Sequence, residues 1–268
     1  MNFHSPRTGT DTATDRFYHY YEAASVSPQT LERFRAIRDL IVRLYPDIVE
    51  SRSNIADIGC GAGTQSMLWA ELGCEVHGLD VNERLIQLAQ VRSAQAGFNV
   101  DFRVGSAVAL PWPDESMRVC LAVELLEHVR DWRSCLSEFS RVLAPGGVLF
   151  ASTSNALCPR QQEFALPFYS WYPAPIKRYC ERLAVTTRPS LANHAKYPAV
   201  NWFTFYGLRR FLRDKGFDCY DRFDVIDRSE KRLVSRAVLR SIEKSRAVRF
   251  LAYMVTEGTS ILAVKTKN

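Results

Sequence analysis

The chain predicts a doubly wound α/β fold, an open and mostly parallel sheet with helices on both faces, and three observations carry that reading. Apolar strand-like runs alternate with helix-like runs from about residue 54 to 153, and that rhythm builds parallel strands joined by right-handed crossovers. The first apolar strand, Ile55 to Ile58, closes in the glycine-rich run Asp57-Ile58-Gly59-Cys60-Gly61-Ala62-Gly63, and a helical stretch, Thr64 to Leu72, opens straight after it. The next apolar strand ends in an acid, Gly78-Leu79-Asp80, roughly twenty residues on. A turn of this kind needs glycine because a side chain would hold the backbone away from a ligand. A bare turn with a carboxylate on the same crevice is the cradle for a nucleotide, the acid accepting from ribose hydroxyls.

Residues 1–15 are polar and read as a flexible leader, and 16–268 as a single domain. Arg16 to Ala24 is rich in aromatics (Phe17, Tyr18, Tyr20, Tyr21), and Thr30 to Tyr45 carries helical apolar spacing at Leu31, Phe34, Ile37, Leu40, Ile41 and Leu44. Strands are expected near 54–58, 75–79, 100–104, 117–123 and 147–153, with helices near 63–73, 82–97 and 132–143; together they make a cofactor-binding core over 50–155. Pro145-Gly146-Gly147 is expected to stop a helix ahead of the fifth strand. The rhythm then breaks. Residues 155–200 are dense in Pro, aromatic and basic residues, among them Phe164, Phe168, Trp171, Tyr172, Lys177, Arg178, Tyr179 and Arg182. A segment of that length between regular elements marks a lid or binding loop. Regularity resumes over 201–268 with a helix at about 204–215, a strand near 217–225, a basic helix at about 230–252 and a last strand at 258–266.

The glycine turn also says which nucleotide. A dinucleotide fold offers GxGxxG to a pyrophosphate, whereas here the turn reads GxGxG behind an acid, which suits a ligand carrying a cation. The run resembles motif I of the class I S-adenosylmethionine-dependent methyltransferases. The resemblance continues in family order through Gly78-Leu79-Asp80-Val81, Leu110-Pro111-Trp112-Pro113-Asp114-Glu115-Ser116, Val123-Glu124-Leu125-Leu126-Glu127-His128-Val129 and Arg141-Val142-Leu143-Ala144-Pro145-Gly146-Gly147. It covers about 50 to 155 and is nearest to the ubiquinone-pathway O-methyltransferases and the "type 11" group. It implies a Rossmann-like seven-stranded sheet with its last strand antiparallel, and S-adenosyl-L-methionine as cofactor. Asp57, Gly59, Gly61 and Gly63 would then face the methionine end and Asp80 the ribose. Val81, Ser106, Ala107 and Val123 would line the remainder. Many relatives have Gly-Asp-Ala where this chain has Gly105-Ser106-Ala107, so a charge-assisted adenine contact is replaced by a hydroxyl.

If Glu124-Leu125-Leu126-Glu127-His128 enters a helix, then Glu124, Glu127 and His128 share one face beside the reacting methyl. Two chemistries fit. His128 can act as general base on an acceptor hydroxyl, or Glu124, Glu127 and His128, joined by His194, can hold a divalent metal that acidifies the acceptor. In the ubiquinone-pathway and small-RNA 2′-O-methyltransferases the Glu-x-x-Glu-His pattern is tied to metal, whereas Leu-Glu-His-Val also stands in relatives with no known metal, where its role is structural and it braces the strand end.

Lys and Arg number 35 against 29 Asp and Glu, a net charge of +6, which tolerates an anionic partner without demanding nucleic acid. The cysteines Cys60, Cys74, Cys120, Cys135, Cys158, Cys180 and Cys219 include no CxxC pair and read as reduced, mostly buried thiols of a cytoplasmic protein. No signal-like or membrane-spanning run is expected. The aromatic and basic residues of 164–184 nevertheless suit peripheral contact at the inner face of a membrane. The expected activity is O-methylation of a small-molecule hydroxyl: a phenol, a quinone precursor or a sugar. RNA 2′-O-methylation and a non-catalytic cofactor-binding scaffold are the alternatives, and oligomeric state is left open.

Overall fold

A computed structural model of the 268-residue chain describes residues 18, 21–192, 199–227 and 233–267. The leader at 1–15 and His194 therefore lie outside the described residues.

The strands are β1 (Asn54–Ile58), β2 (Glu75–Asp80), β3 (Asp101–Val104), β4 (Met117–Val123), β5 (Leu143–Ser154), β6 (Phe217–Asp221) and β7 (Gly258–Lys265). They form one seven-stranded sheet in the order β3-β2-β1-β4-β5-β7-β6. The first five are parallel, and β7 runs antiparallel to both β5 and β6. The sheet order reverses between β1 and β4, which opens a crevice at their carboxyl ends where such folds bind ligands.

The helices are α1 (Pro28–Leu44), α2 (Asp47–Glu50), α3 (Thr64–Ala70), α4 (Glu83–Gln95), α5 (Trp132–Val142), α6 (Ala174–Thr186), α7 (Phe205–Arg213), α8 (Arg222–Val225), α9 (Leu233–Lys244) and α10 (Arg246–Met254). Polar side chains start several of them. Ser27, Asn82, Asp131, Thr204 and Ser245 each accept from a backbone amide of the first turn, satisfying donors that the helix itself leaves open.

Strands buried on both faces read as near-continuous apolar runs, and β4 is of that kind. Cys120 and Ala122 pack on one side with Leu136, Phe139 and Phe205, while Val119 and Leu121 pack on the other with Ile41, Trp69 and Phe150. All seven cysteines are free, six of them buried.

Four sequence expectations are corrected. Glu124 to His128 is a turn, not a helix, and α5 starts only at Trp132, capped by Asp131. Leu143 is already extended, so Pro145-Gly146-Gly147 lies inside β5, where the register against β4 shifts between Met117 and Val119. The strand expected to 225 ends at Asp221, whose carboxylate caps α8 by accepting from Phe223 and Asp224 amides at 2.8 and 3.0 Å. Ser245 divides the expected long basic helix into α9 and α10.

The segment after β5 is ordered by its own core. Phe164 stacks on Tyr169 at 4.1 Å between ring centroids, with Cys180 and Ala184 of α6 against them. Gln161 ties the turn, donating to the Phe164 and Leu166 carbonyls and accepting from the Glu163 and Phe164 amides. Phe168, Trp171 and Tyr179 stay exposed. Its aromatics thus divide between packing on the protein and facing solvent.

Candidate functional site

The glycine turn is bent by hydrogen bonds to the end of β2. Gly59 and Cys60 amides both donate to the Leu79 carbonyl, at 2.7 and 3.1 Å. The Gly61 amide donates to Asp80 Oδ2 at 3.0 Å and the Asn82 amide to Asp80 Oδ1 at 2.8 Å. Gly59 has a φ of 77°, a left-handed conformation costly for any residue with a Cβ. Gly63 also adopts positive φ, and a Cβ there would stand 2.6 Å from the Phe102 ring and 2.8 Å from Ala89. Its glycine thus serves close packing of α4 and β3 against the turn.

Asp57 is buried beneath the turn, accepting from Ser66 Oγ at 2.5 Å. Burial, against the lowering effect of Ser66, pushes its carboxyl up to about 6 from 3.8. The folded protein therefore binds a proton more tightly than the unfolded chain, so this group's stabilising share falls as pH rises from about 4 to about 6. Above that window the buried charge costs about 3 kcal/mol. Asp57→Asn, which keeps an acceptor for Ser66, is expected to raise the thermal midpoint at pH 7.5, and the gain should vanish below about pH 4 in calorimetric melts.

A cleft of about 300 Å³ opens at the crevice. Gly59, Gly105 and the Asp80 carboxylate meet there with the apolar walls of Ile58, Leu79, Val81, Ala107, Leu125 and Val129, and Ser106 and His128 complete the lining. Burial raises the Asp80 carboxyl, while the amides of Asn82 and Gly61 pull it back down. Val81 is 64% exposed, a ready apolar surface at the mouth. Asp57, Gly61, Gly63 and Val123 do not line the cleft; Val123 packs instead with the Ile41–Trp69 side of the core.

The Glu124–His128 turn scatters what a helix would have gathered. Glu124 sits at φ 54° with its carboxylate 3.1 Å from Arg33 Nη1 of α1. Glu127 turns inward and accepts from Thr153 Oγ1 at 2.7 Å, while its carbonyl takes the Val200 and Asn201 amides. Asn201 braces the turn by donating to the Leu126 and Val129 carbonyls. His128 faces the cleft.

Glu163, from the segment after β5, joins them: one ligand atom each from Glu127, His128 and Glu163 lies within 4.8 Å of the others. Burial first, and then the Glu124 charge, lifts Glu127 to about 8 and Glu163 to about 7. Of the expected metal set, Glu127 and His128 come together, Glu124 is held by Arg33, and His194 lies outside the described residues. Glu163 was invisible in the sequence, since no motif or period surrounds it.

Two of the N-terminal aromatics, Tyr21 and Tyr18, reach the glycine turn and the start of α4. A Cβ on Gly61 would stand 3.0 Å from the Tyr21 ring. Burial, reinforced by Asp80 and Glu124, raises the Tyr21 phenol to about 12. Tyr18 Oη donates to Asn82 at 2.8 Å with the Arg84 guanidinium over its ring, and Arg92 reaches Ser25 and the Glu22 carbonyl. Phe17 and Tyr20 lie outside the described residues.

Residues 56–151 match the profile of a methyltransferase domain family. Over 101 residues the chain is 38% identical to the ubiquinone biosynthesis O-methyltransferase of Sinorhizobium fredii, covering 38% of this chain and 41% of that one. Over 128 residues it is 34% identical to the enzyme of the same description from Sinorhizobium medicae, covering 46% and 52%. The matched part thus spans about half or less of these relatives. A solved S-adenosylmethionine-dependent methyltransferase from Methanosarcina mazei superposes with a TM-score of 0.51 at 24% identity, covering 81% of this chain and 93% of that one.

Proposed function

We propose that this chain, which carries a methyltransferase domain of the class I S-adenosylmethionine-dependent kind, transfers the methyl group of S-adenosylmethionine to a hydroxyl of a small molecule: a phenol, a quinone precursor or a sugar. The observation that carries the reading is the Asp80 carboxylate. It grips the Gly61 and Asn82 amides and opens, beside bare glycine backbone, into a cleft whose far wall holds His128.

The lining of the cleft suits the cofactor in its chemistry. Asp80 is an acceptor for ribose hydroxyls, the Gly59 backbone leaves the turn open to close approach, and Val81 and Ala107 supply apolar surface for the purine, with Ser106 as its polar contact. Asp57, held off the cleft by Ser66, acts on the methionine end through the turn it supports. When bound, the cofactor supplies an electrophilic methyl on an excellent leaving group, so the protein mainly aligns the acceptor, excludes water and takes one proton.

His128, which lines the cleft, takes that proton at an imidazole nitrogen in this reading. Glu127 and Glu163 stand close to His128. The named relatives act in ubiquinone biosynthesis, which supports an oxygen acceptor. Calorimetry with the cofactor and with its demethylated product tests the first half of this reading. An acceptor screen with methyl-labelled cofactor tests the second, and transfer only to amines would overturn the oxygen assignment.

The same reading includes peripheral membrane contact through 164–184. Phe168, Trp171 and Tyr179 are exposed beside Arg178 and Arg182, a combination that buries rings in a lipid interface while basic groups meet anionic headgroups. Phe168→Glu with Tyr179→Glu is expected to reduce co-sedimentation with anionic liposomes at least about tenfold; equal sedimentation would refute the contact. Among the described residues no helix is long and apolar enough to cross a membrane.

A further inference from the structure

We infer that the α9–α10 hairpin is a second docking face, and that what it docks on is an anionic phospholipid surface. The rotation of α10 about its axis is fixed from inside. Tyr253 is fully buried with its hydroxyl donating to Asp221 at 2.7 Å, and Arg249, one turn earlier, pairs with Asp221 and Asp224. The helix end is fixed too, since Asn155 donates to the Tyr253 and Thr256 carbonyls.

With Arg249 and Tyr253 locked inward, Val248, Leu251 and Val255 fall on the opposite face at helical spacing. They are 37%, 60% and 81% exposed, and Phe250 beside them is 43% exposed. In α9 the same holds: Leu239 and Ile242 are buried while Val238 is exposed. Exposed Arg240, Lys244 and Arg246 flank this stripe, against one exposed acid, Glu243.

The charge balance selects the occupant. A second copy of the chain packed face to face would set each basic cluster against its own image, because a two-fold interface uses the same patch twice. A nucleic acid would satisfy the cations and leave Leu251 and Val255 facing phosphate and water. A bilayer interface with anionic headgroups takes both parts at once, the apolar stripe in the acyl boundary and the basic rim among phosphates. Ion pairing of Glu257 with Arg160 and its hydrogen bond from Gln162 join this face to the segment that leads into α6. Two weak membrane contacts on one rigid body bind far better than either alone.

The test uses the full chain and sedimentation with vesicles of phosphatidylcholine, with or without phosphatidylglycerol. Wild type should sediment with the anionic vesicles and release as salt rises. Leu251→Glu with Val255→Glu should lose at least about tenfold in partitioning, and the triple change Arg240→Gln, Lys244→Gln, Arg246→Gln about a hundredfold on anionic vesicles with little change on neutral ones. These side chains are exposed, so melting temperature and calorimetric cofactor binding should match wild type. Those readouts also separate failure here from failure of the methyltransferase reading. Wild-type partitioning by both variants would overturn the inference, as would a wild type that sediments with neither vesicle. Light scattering that shows a dimer broken by Leu251→Glu would assign the face to a second copy instead.

Discussion

Asp80→Ala is expected to weaken S-adenosylmethionine binding by about a hundredfold or more. A carboxylate that accepts from two ribose hydroxyls makes two charge-assisted hydrogen bonds, each worth about 1.5–3 kcal/mol, and a tenfold loss in affinity corresponds to about 1.4 kcal/mol. The substitution also removes the acceptor that the Gly61 and Asn82 amides share, so the turn itself should loosen. Asp80→Asn separates the two effects. It keeps one oxygen for the backbone but offers the ribose a weaker, partly donating group, and its loss should be nearer tenfold. Because burial raises the Asp80 carboxyl, and the ionised form is the better acceptor, affinity should strengthen as pH rises through the acid range and then level off. Calorimetric titration of the three proteins at several pH values measures all of this, and an unchanged dissociation constant in Asp80→Ala would remove the cofactor assignment.

The parts legible from sequence are those where a local rule and the global fold agree. The glycine turn and the acid closing β2 were readable because both are set by backbone geometry within a few residues. The β1–β5 rhythm was readable because buried parallel strands are apolar throughout. The seventh strand's direction came from the family resemblance. The misreadings share a cause. Glu124 to His128 has helical spacing, yet Glu124 is drawn into a left-handed turn while its amide bonds the Ser152 carbonyl and its carboxylate is held by Arg33. Those partners lie in distant parts of the chain and leave no mark at positions 124–128. Asp221 likewise looked like the middle of a strand because its capping role depends on Phe223 and Asp224 folding back. Glu163 was hidden most completely: its neighbours Glu127 and His128 are brought to it by the fold, and nothing in its own stretch signals chemistry.

His128→Asn is expected to lower turnover by about 10²–10⁴-fold, the range for loss of a positioned general base, while cofactor affinity stays near wild type because Asp80 and the glycine turn carry that binding. The direction of the pH profile follows from the neighbours. Glu163 and Glu127, lifted by burial to about 7 and about 8, ionise in the same window as an imidazole, and each negative charge gained beside His128 favours its protonated form. The wild-type rate should therefore climb with pH over a broad range, as Glu163 and Glu127 ionise, rather than along a single-proton curve. Glu163→Gln removes one of those charges and should shift the rising limb toward acid by about one unit, with its plateau near wild type. A structural role for Glu163 would lower stability and leave the limb where it was. Chelation supplies the remaining control: with Glu124 engaged by Arg33, turnover should survive it, and loss restored by magnesium or manganese would hand the cluster to a metal ion instead of a proton.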